Sequence, residues 1–237
     1  MKLSIIIPAY NEEYRILPTL RDYYSFFKNK FHKGFEIIVV PNNCKDNTLG
    51  IVQEFAKHKK QIRIFNIKGY SGKGGAVMKG FELAKGDYIG FSDADNSTNP
   101  KNFYKLYENK QNYAGIIGSR KIKGAVIFPH RKLSQNLSSF FFNSFARILF
   151  KMNYYDTQCG AKLFKKDVAK FLAKNYSEPG WAFDVDLLSL CKKNKLSVYE
   201  YPINWRDFRG SKLTVKEGIL SVIKLFKYRF KSVKKEL

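Results

Sequence analysis

Apolar runs alternate with amphipathic stretches along the first half of the chain. Leu3 to Ile7 is a short β-branched run stopped by Pro8, and Phe35 to Val40 is a second stopped by Pro41. Continuous runs of this length predict strands buried on both faces, as in parallel sheets. Glu13 to Asn29 and Thr48 to Lys59 read as helices, Ile62 to Ile67 as a third strand, Gly74 to Ala84 as a helix and Asp87 to Phe91 as a fourth strand. That alternation predicts an α/β fold on a doubly wound, mostly parallel sheet. Ligands of such sheets sit beyond the carboxyl ends of the strands. Pro8-Ala9-Tyr10-Asn11-Glu12, Pro41-Asn42-Asn43-Cys44-Lys45-Asp46 and Asp93-Ala94-Asp95 each follow a strand, so three polar clusters are expected to converge on one crevice.

The second half is less regular. Gly115 to Arg120 reads as a strand, Ser134 to Lys151 as a Phe-rich helix, Trp181 to Lys193 as a helix and Ser197 to Trp205 as a strand. Val215 to Lys235 interleaves Ile219, Leu220, Val222, Ile223, Leu225, Phe226 and Phe230 with Lys216, Lys224, Lys227, Arg229 and Lys231, as in one amphipathic helix. Such a helix suits either an anionic lipid surface or the flank of the core. No repeat or low-complexity linker interrupts the chain.

Composition narrows the class. The 237 residues, 44% of them hydrophobic, suffice for one α/β domain with a substantial core. Lys and Arg number 43 against 20 Asp and Glu, so the surface should attract an anionic partner: nucleic acid, lipid headgroups or phosphorylated substrates. No recognisable nucleic-acid module accompanies the charge and no nucleic-acid partner is expected, a basic nucleic-acid-binding protein being the rival reading from a different class. Three cysteines without a CxxC pair exclude a disulfide framework and a structural zinc site, and point to a reducing, cytosolic setting. Ile5 to Ile7 is too short for a signal-peptide core, and the later apolar stretches fall short of the roughly 20 residues that span a bilayer. Any membrane contact is expected to be peripheral.

Asp93-Ala94-Asp95 brings two carboxylates to one turn, the oxygen donors that Mg²⁺ or Mn²⁺ shares with substrate phosphates. An isolated Asp-x-Asp is more often a solvated turn or helix cap; its position after an apolar strand, beside other polar strand ends, gives the metal reading its weight. Gly69-Tyr70-Ser71-Gly72-Lys73-Gly74-Gly75-Ala76 has Gly74 where a nucleotide-triphosphate loop needs Ser or Thr. It suits a tight turn into a helix, or a helix start approached by an anionic nucleotide with Lys73 supplying charge. Asp184 and Asp186 open a helix, where acidic side chains also complement the helix dipole. Cys159 has no His near it in sequence and reads as a buried structural thiol.

Taken in order, the motifs resemble a known family. Ile7-Pro8-Ala9-Tyr10-Asn11-Glu12, Gly72-Lys73-Gly74-Gly75-Ala76-Val77, Asp93-Ala94-Asp95, Ile117-Gly118-Ser119-Arg120, Asp156-Thr157-Gln158-Cys159-Gly160-Ala161-Lys162-Leu163-Phe164, Trp181-Ala182-Phe183-Asp184-Val185-Asp186-Leu187-Leu188, Asn204-Trp205 and Gly210-Ser211-Lys212-Leu213 are similar to the inverting family-2 glycosyltransferases of GT-A fold. Within these the likeness is to dolichyl-phosphate glucosyltransferases and their polyprenyl-phosphate relatives. The resemblance implies a GT-A domain over 1–214, with a nucleotide-sugar half at 1–115 and an acceptor half at 116–214, followed by a basic helix at 215–237. It implies nucleotide-sugar contacts at Pro8, Ala9, Tyr10, Glu12, Asn42, Asn43, Asp46, Lys73, Asp93, Ala94 and Asp95, with Mg²⁺ or Mn²⁺ on Asp93 and Asp95. Acceptor contacts are expected from Arg120, Arg131, Ser134, Gln158, Trp181 and Lys212, and catalytic roles from Asp184, Arg120 and Arg131.

Two departures stand out. The family's acidic Asp-Asp-Gly-Ser after the second strand is replaced by Pro41-Asn42-Asn43-Cys44, and Ser97 stands where mannosyl relatives often place a Gln metal ligand. The implied partners are a nucleotide sugar of the UDP-glucose or GDP-mannose type, a dolichyl or polyprenyl phosphate, and an anionic membrane surface at its cytoplasmic face, with a separate membrane subunit as a further candidate. The expected reaction is a single in-line displacement at the anomeric carbon. A phosphate monoester is largely ionised at neutral pH, so an enzyme base is optional and Asp184 is assigned positioning before proton transfer. Transfer to a glycan or small-molecule hydroxyl is the alternative, and would require that base.

Overall fold

A computed structural model of the chain describes residues 1–69, 71–129 and 133–206 together with residues 220, 223, 224 and 227, without the side chains of residues 133–140. In chain order the elements are β1 (Leu3–Ala9), α1 (Ile16–Phe31), β2 (Phe35–Pro41), α2 (Thr48–Ala56), β3 (Ile62–Ile64), α3 (Gly72–Leu83), β4 (Tyr88–Ser92) and α4 (Pro100–Glu108). They continue with β5 (Gly115–Ser119), β6 (Val126–Phe128), α5 (Leu133–Phe150), β7 (Ala161–Lys165), α6 (Lys166–Asn175), α7 (Phe183–Lys193), β8 (Val198–Pro202) and β9 (Asn204–Arg206).

Seven strands form one sheet in the order β3-β2-β1-β4-β7-β5-β8, and β6 pairs with β9 beside it. Strands β3, β2, β1 and β4 run parallel, as the apolar runs predict. All seven residues of β1 and of β2 are buried. Ile5 and Ile7 enter one hydrophobic layer with Leu20, Tyr23 and Phe103 of α1 and α4. Ile6 enters the opposite layer with Val77 and Phe81 of α3 and Leu172 of α6. Burial on both faces is why these strands show no polar alternation.

Strand β7 is antiparallel to both β4 and β5. Its first residue, Ala161, therefore lies opposite Ser92, the last residue of β4. This reversal sets Gly160 against Asp93.

Four elements lie beyond the sequence expectation: α4, β6, β7 and α6. The start of α4 has a clear local cause, since Asn99 Oδ1 accepts the Asn102 N–H at 2.9 Å and Pro100 occupies the first turn. The single strand expected over Ser197 to Trp205 is two, β8 ending at Pro202 and β9 pairing instead with β6. Proline has no N–H to continue a ladder. The helix expected from Val215 to Lys235 falls outside the described residues except at Leu220, Ile223, Lys224 and Lys227, which are helical. No helix among the described residues is long and apolar enough to cross a membrane.

Candidate active site

The loops after β1 and β2 are tied to each other. Lys45 N–H donates to Asn11 Oδ1 at 2.8 Å, Glu12 N–H to Thr48 Oγ1 at 2.7 Å, and Glu13 N–H to Asp46 Oδ2 at 3.1 Å. Pro8 and Ala9 are buried in β1, Tyr10 is 41% exposed, and Glu12 is ion-paired with Arg15. Asn43 holds a left-handed backbone, and its N–H donates to Ile67. Asn42 is buried and its carboxamide is engaged locally: Nδ2 donates to the Gly72 carbonyl at 2.9 Å, and Oδ1 accepts from the Ser71 N–H and hydroxyl at 3.2 Å. Asn42 thus anchors the glycine turn at the start of α3, where Gly72 has φ +67° and faces the Pro179 carbonyl.

Helix α1 holds the Asp93-Ala94-Asp95 turn from below. Thr19 Oγ1 donates to the Ala94 carbonyl at 2.8 Å, and the buried Tyr23 hydroxyl lies 2.6 Å from Ser92 Oγ and donates to the Thr98 carbonyl at 2.6 Å. Asp95 Oδ1 accepts the Ser97 N–H at 3.0 Å. Burial and the Asp93 carboxylate push the Asp95 pKa up, against the hydrogen bonding from Ser97. Asp93 Oδ1 meets Lys73 Nζ at 2.6 Å. Burial disfavours the Lys73 charge, but the Asp93, Asp184 and Asp95 carboxylates outweigh it and hold its pKa above the ordinary value. The other Asp93 oxygen rests on Gly160, where any Cβ would collide with it.

Two buried ion pairs, Arg120–Asp156 and Lys162–Asp184, hold residues expected at the acceptor and at the reaction centre. Arg120 grips Asp156 through Nε at 2.7 Å and Nη2 at 2.8 Å, and its backbone N–H donates to the same carboxylate at 2.9 Å. The guanidinium carbon sits 5.2 Å from the Trp205 ring centroid. Lys162, fully buried in β7, donates from Nζ to Asp184 Oδ1 and to the Cys159 carbonyl at 2.7 Å. Burial pushes the Asp184 pKa up against the pull of Lys162 and Lys73, and Asp93 lies near enough to add to that push. Trp181 is half-buried with Lys73 Nζ 5.8 Å from its ring centroid, and Gln158 is half-buried in the turn before β7. Arg131 and Lys212 lie outside the described residues, as does the side chain of Ser134.

Lys73, Asp93, Asp95, Asp184 and Trp181 are therefore brought together, with Arg120 on the adjoining strand end. Lys162, Gly160, Thr19 and Tyr23 are the contributors that sequence reasoning gave no role. Lys162 and Gly160 lie inside the Asp156–Phe164 motif; nothing in sequence marks Thr19 or Tyr23 apart from other positions of an amphipathic helix.

The donor set suits a hard divalent cation. Two carboxylates on one turn, one with its pKa pushed up by burial and then by the other, form the charge arrangement such an ion relieves. Among the described residues no group of three or more acidic, His or Cys side chains gathers at one point. Two protein ligands completed by water and substrate oxygens match the habit of Mg²⁺ better than a closed protein cage.

A mostly parallel sheet with an Asp-x-Asp turn at its centre and a glycine turn facing it is the GT-A arrangement. Glucosyl-3-phosphoglycerate synthase from Mycobacterium tuberculosis, solved with Mn²⁺, UDP and phosphoglyceric acid, superposes with a TM-score of 0.73 at 15% identity over 96% of this chain and 78% of that one. TarS 1-349 of S. aureus superposes with a TM-score of 0.62 at 22% identity over 97% of this chain and 65% of that one. The glycosyl transferase family 2 model matches residues 4–172. Dolichyl-phosphate beta-glucosyltransferase of Dictyostelium discoideum is 33% identical over 89% of this chain and 68% of its own length. Its counterpart in Saccharomyces cerevisiae is 33% identical over 90% and 69%, and that of Homo sapiens 30% identical over 90% and 69%. The chain belongs to glycosyl transferase family 2, and is a glycosyltransferase.

Proposed function

We propose that the enzyme moves a hexose, glucose before others, from a nucleotide sugar of the UDP-glucose type to a dolichyl or polyprenyl phosphate at the cytoplasmic face of a membrane, inverting the anomeric carbon. The observation that carries the acceptor class is the Lys162–Asp184 pair. Asp184 is the carboxylate at the place of a base, and one of its oxygens is committed to a buried ammonium. A committed carboxylate suits an acceptor that arrives already ionised, as a phosphate monoester does near neutral pH. The sugar and lipid rest on the names of the relatives.

Asp93 and Asp95 would hold Mg²⁺ or Mn²⁺, which when bound offsets the charge developing on the leaving diphosphate. Lys73, on the flexible stem of a lysine, adds a positive charge for the same oxygens. The Asp156 clamp uses Nε and Nη2 of Arg120 and leaves Nη1 outside the pair, available for an acceptor phosphate. Asp184 positions the acceptor. The net charge of +23 and the partly exposed Leu220 and Ile223 beside Lys224 and Lys227 support attachment to an anionic bilayer.

Incubation with radiolabelled UDP-glucose or GDP-mannose, and with a short polyprenyl phosphate or the matching polyprenol, tests the reading. Organic-phase label is expected from UDP-glucose with the phosphate alone, and is expected to vanish with EDTA. Equal transfer to the polyprenol would remove the acceptor assignment, and no transfer or donor binding at all would remove the whole reading. Asp184→Asn keeps an oxygen for Lys162 but not its counter-charge, so transfer is compared per folded molecule with a thermal melt as control; it should fall by less than the roughly 100-fold typical of a lost general base, with the pH profile unchanged.

A further inference from the structure

Asp93 is constrained from two sides. Gly160 backs one oxygen, and Lys73 Nζ stands 2.6 Å from the other. The ammonium therefore occupies one of the two carboxylates assigned to the metal. The backbone beneath it is fixed, because Asn42 pins Gly72 and the Gly75 N–H donates to the Pro179 carbonyl at 3.1 Å. The lysine stem is not so fixed: its side chain is 19% exposed, and its four-carbon chain lets the ammonium change partners without movement of α3.

Charge balance says when it should do so. Asp93, Asp95 and Asp184 face Lys73 and Lys162, which leaves one net negative charge in the cluster. A divalent cation alone would turn this into one net positive charge, and a doubly charged diphosphate alone into three negative charges. Both together restore the original single negative charge, the state for which this partly buried site is built. Uncompensated charge in such surroundings is disfavoured far more than in water.

We propose that Lys73 is an exchangeable counter-ion that couples metal binding to donor binding: it neutralises Asp93 in the free enzyme, yields that carboxylate to a divalent cation, and moves to the nucleotide's diphosphate. The inference rests on the metal reading of Asp93 and Asp95. Its consequence is that the free enzyme binds the metal weakly, and that nucleotide and metal strengthen each other by one common factor.

Mn²⁺ binding to the full chain, followed by the electron paramagnetic resonance of the free ion with and without UDP-glucose, whose diphosphate carries two charges, tests this against a protein-free blank that measures chelation by the nucleotide alone. UDP-glucose is expected to tighten Mn²⁺ binding to the wild type by about tenfold or more. Lys73→Met and Lys73→Gln should each bind Mn²⁺ without UDP-glucose about fivefold tighter than wild type, with the UDP-glucose enhancement reduced to about threefold or less. Variants that bind Mn²⁺ alone no tighter than wild type, or that keep the full enhancement, overturn the proposal. Thermal melts establish that the variants are folded, and the two substitutions differ in polarity so that one poorly tolerated side chain does not decide the matter. Asp93→Asn separates the two layers: unchanged Mn²⁺ binding there removes the metal reading itself, whereas lost binding there with unaltered Lys73 variants removes only the coupling.

Discussion

The Lys162 ammonium and the Asp184 carboxylate form an ion pair in which neither side chain is more than 4% exposed. The pair joins β7, an antiparallel strand that interrupts the parallel order, to the first turn of α7. Phe91 of β4 lies opposite Lys162 in the ladder, and the ammonium is 5.5 Å from its ring centroid. Lys162 thus delivers a positive charge to the floor of the site, where water does not screen it.

Removing one member of such a pair strands the other, whereas removing both restores an apolar contact. Lys162→Met should destabilise the fold by about 3–5 kcal/mol, and Lys162→Met with Asp184→Leu should recover most of that loss. Urea unfolding of the two variants measures the difference. If the single variant is as stable as wild type, Asp184 has another partner and the pair is not what holds it.

Gly160 fixes the rotamer of Asp93 by offering no side chain. A methyl at position 160 would occupy the space of the Asp93 carboxylate, which must then turn away, breaking the contact with Lys73. Gly160→Ala should lower transfer by about 100-fold, the scale of a small misplacement in a site. The Mn²⁺ concentration for half-maximal activity should rise with it. The thermal midpoint should change little, since the displaced group is at the site rather than in the core. A variant with normal metal dependence would show that Asp93 keeps its position by other means.

What could be read from sequence followed from local pattern. Leu3–Ala9 and Phe35–Pro41 announced themselves because burial on both faces demands unbroken apolar residues. The Asp93–Asp95 turn was found because it directly follows such a strand. Strand β7 was hidden for the converse reason: Ala-Lys-Leu-Phe-Lys places a lysine at a fully buried position, and only the tertiary partner Asp184 makes that tolerable. Helix α6 buries Val168, Ala169, Leu172 and Ala173, a helical stripe of modest residues that charged neighbours obscure. Asn42 is tied to Ser71 and Gly72, a long-range contact with no trace in the spacing. Arg120 entered through the Ile117-Gly118-Ser119-Arg120 motif, but its Asp156 partner is 36 residues away and joined to it only by the fold.

The three thiols should differ sharply in reactivity. Cys159 and Cys191 are fully buried, and burial pushes the pKa of each up to about 12. Cys44 is half-buried in the loop after β2. The thiolate is the reactive form, so a disulfide reagent such as DTNB should label one thiol per native chain and three after denaturation. Labelling of native Cys159 as fast as Cys44 would contradict the packing of Cys159 against Gly118 of β5.

The Arg120–Asp156 pair predicts a specific acid sensitivity. Burial alone would raise the Asp156 pKa, but the Arg120 guanidinium and its hydrogen bonds outweigh it and lower the value to about 2. A folded value below the unfolded one of about 3.9 means that the unfolded chain takes up the proton first as the solution is acidified. The stabilisation is thus complete well above pH 4 and is lost as pH falls through the folded value, about 3 kcal/mol in all. Asp156→Asn leaves the nearly buried Arg120 without its counter-charge and should cost about 3–5 kcal/mol at pH 7. The gap between wild type and variant should narrow by about 1 kcal/mol on going to pH 3, because only the wild type has the ionised pair to lose. Urea midpoints at pH 7, 5 and 3 report the gap directly. A gap that stays constant over that range would mean that Asp156 is not ionised against Arg120, and that the guanidinium is held by its other contacts alone.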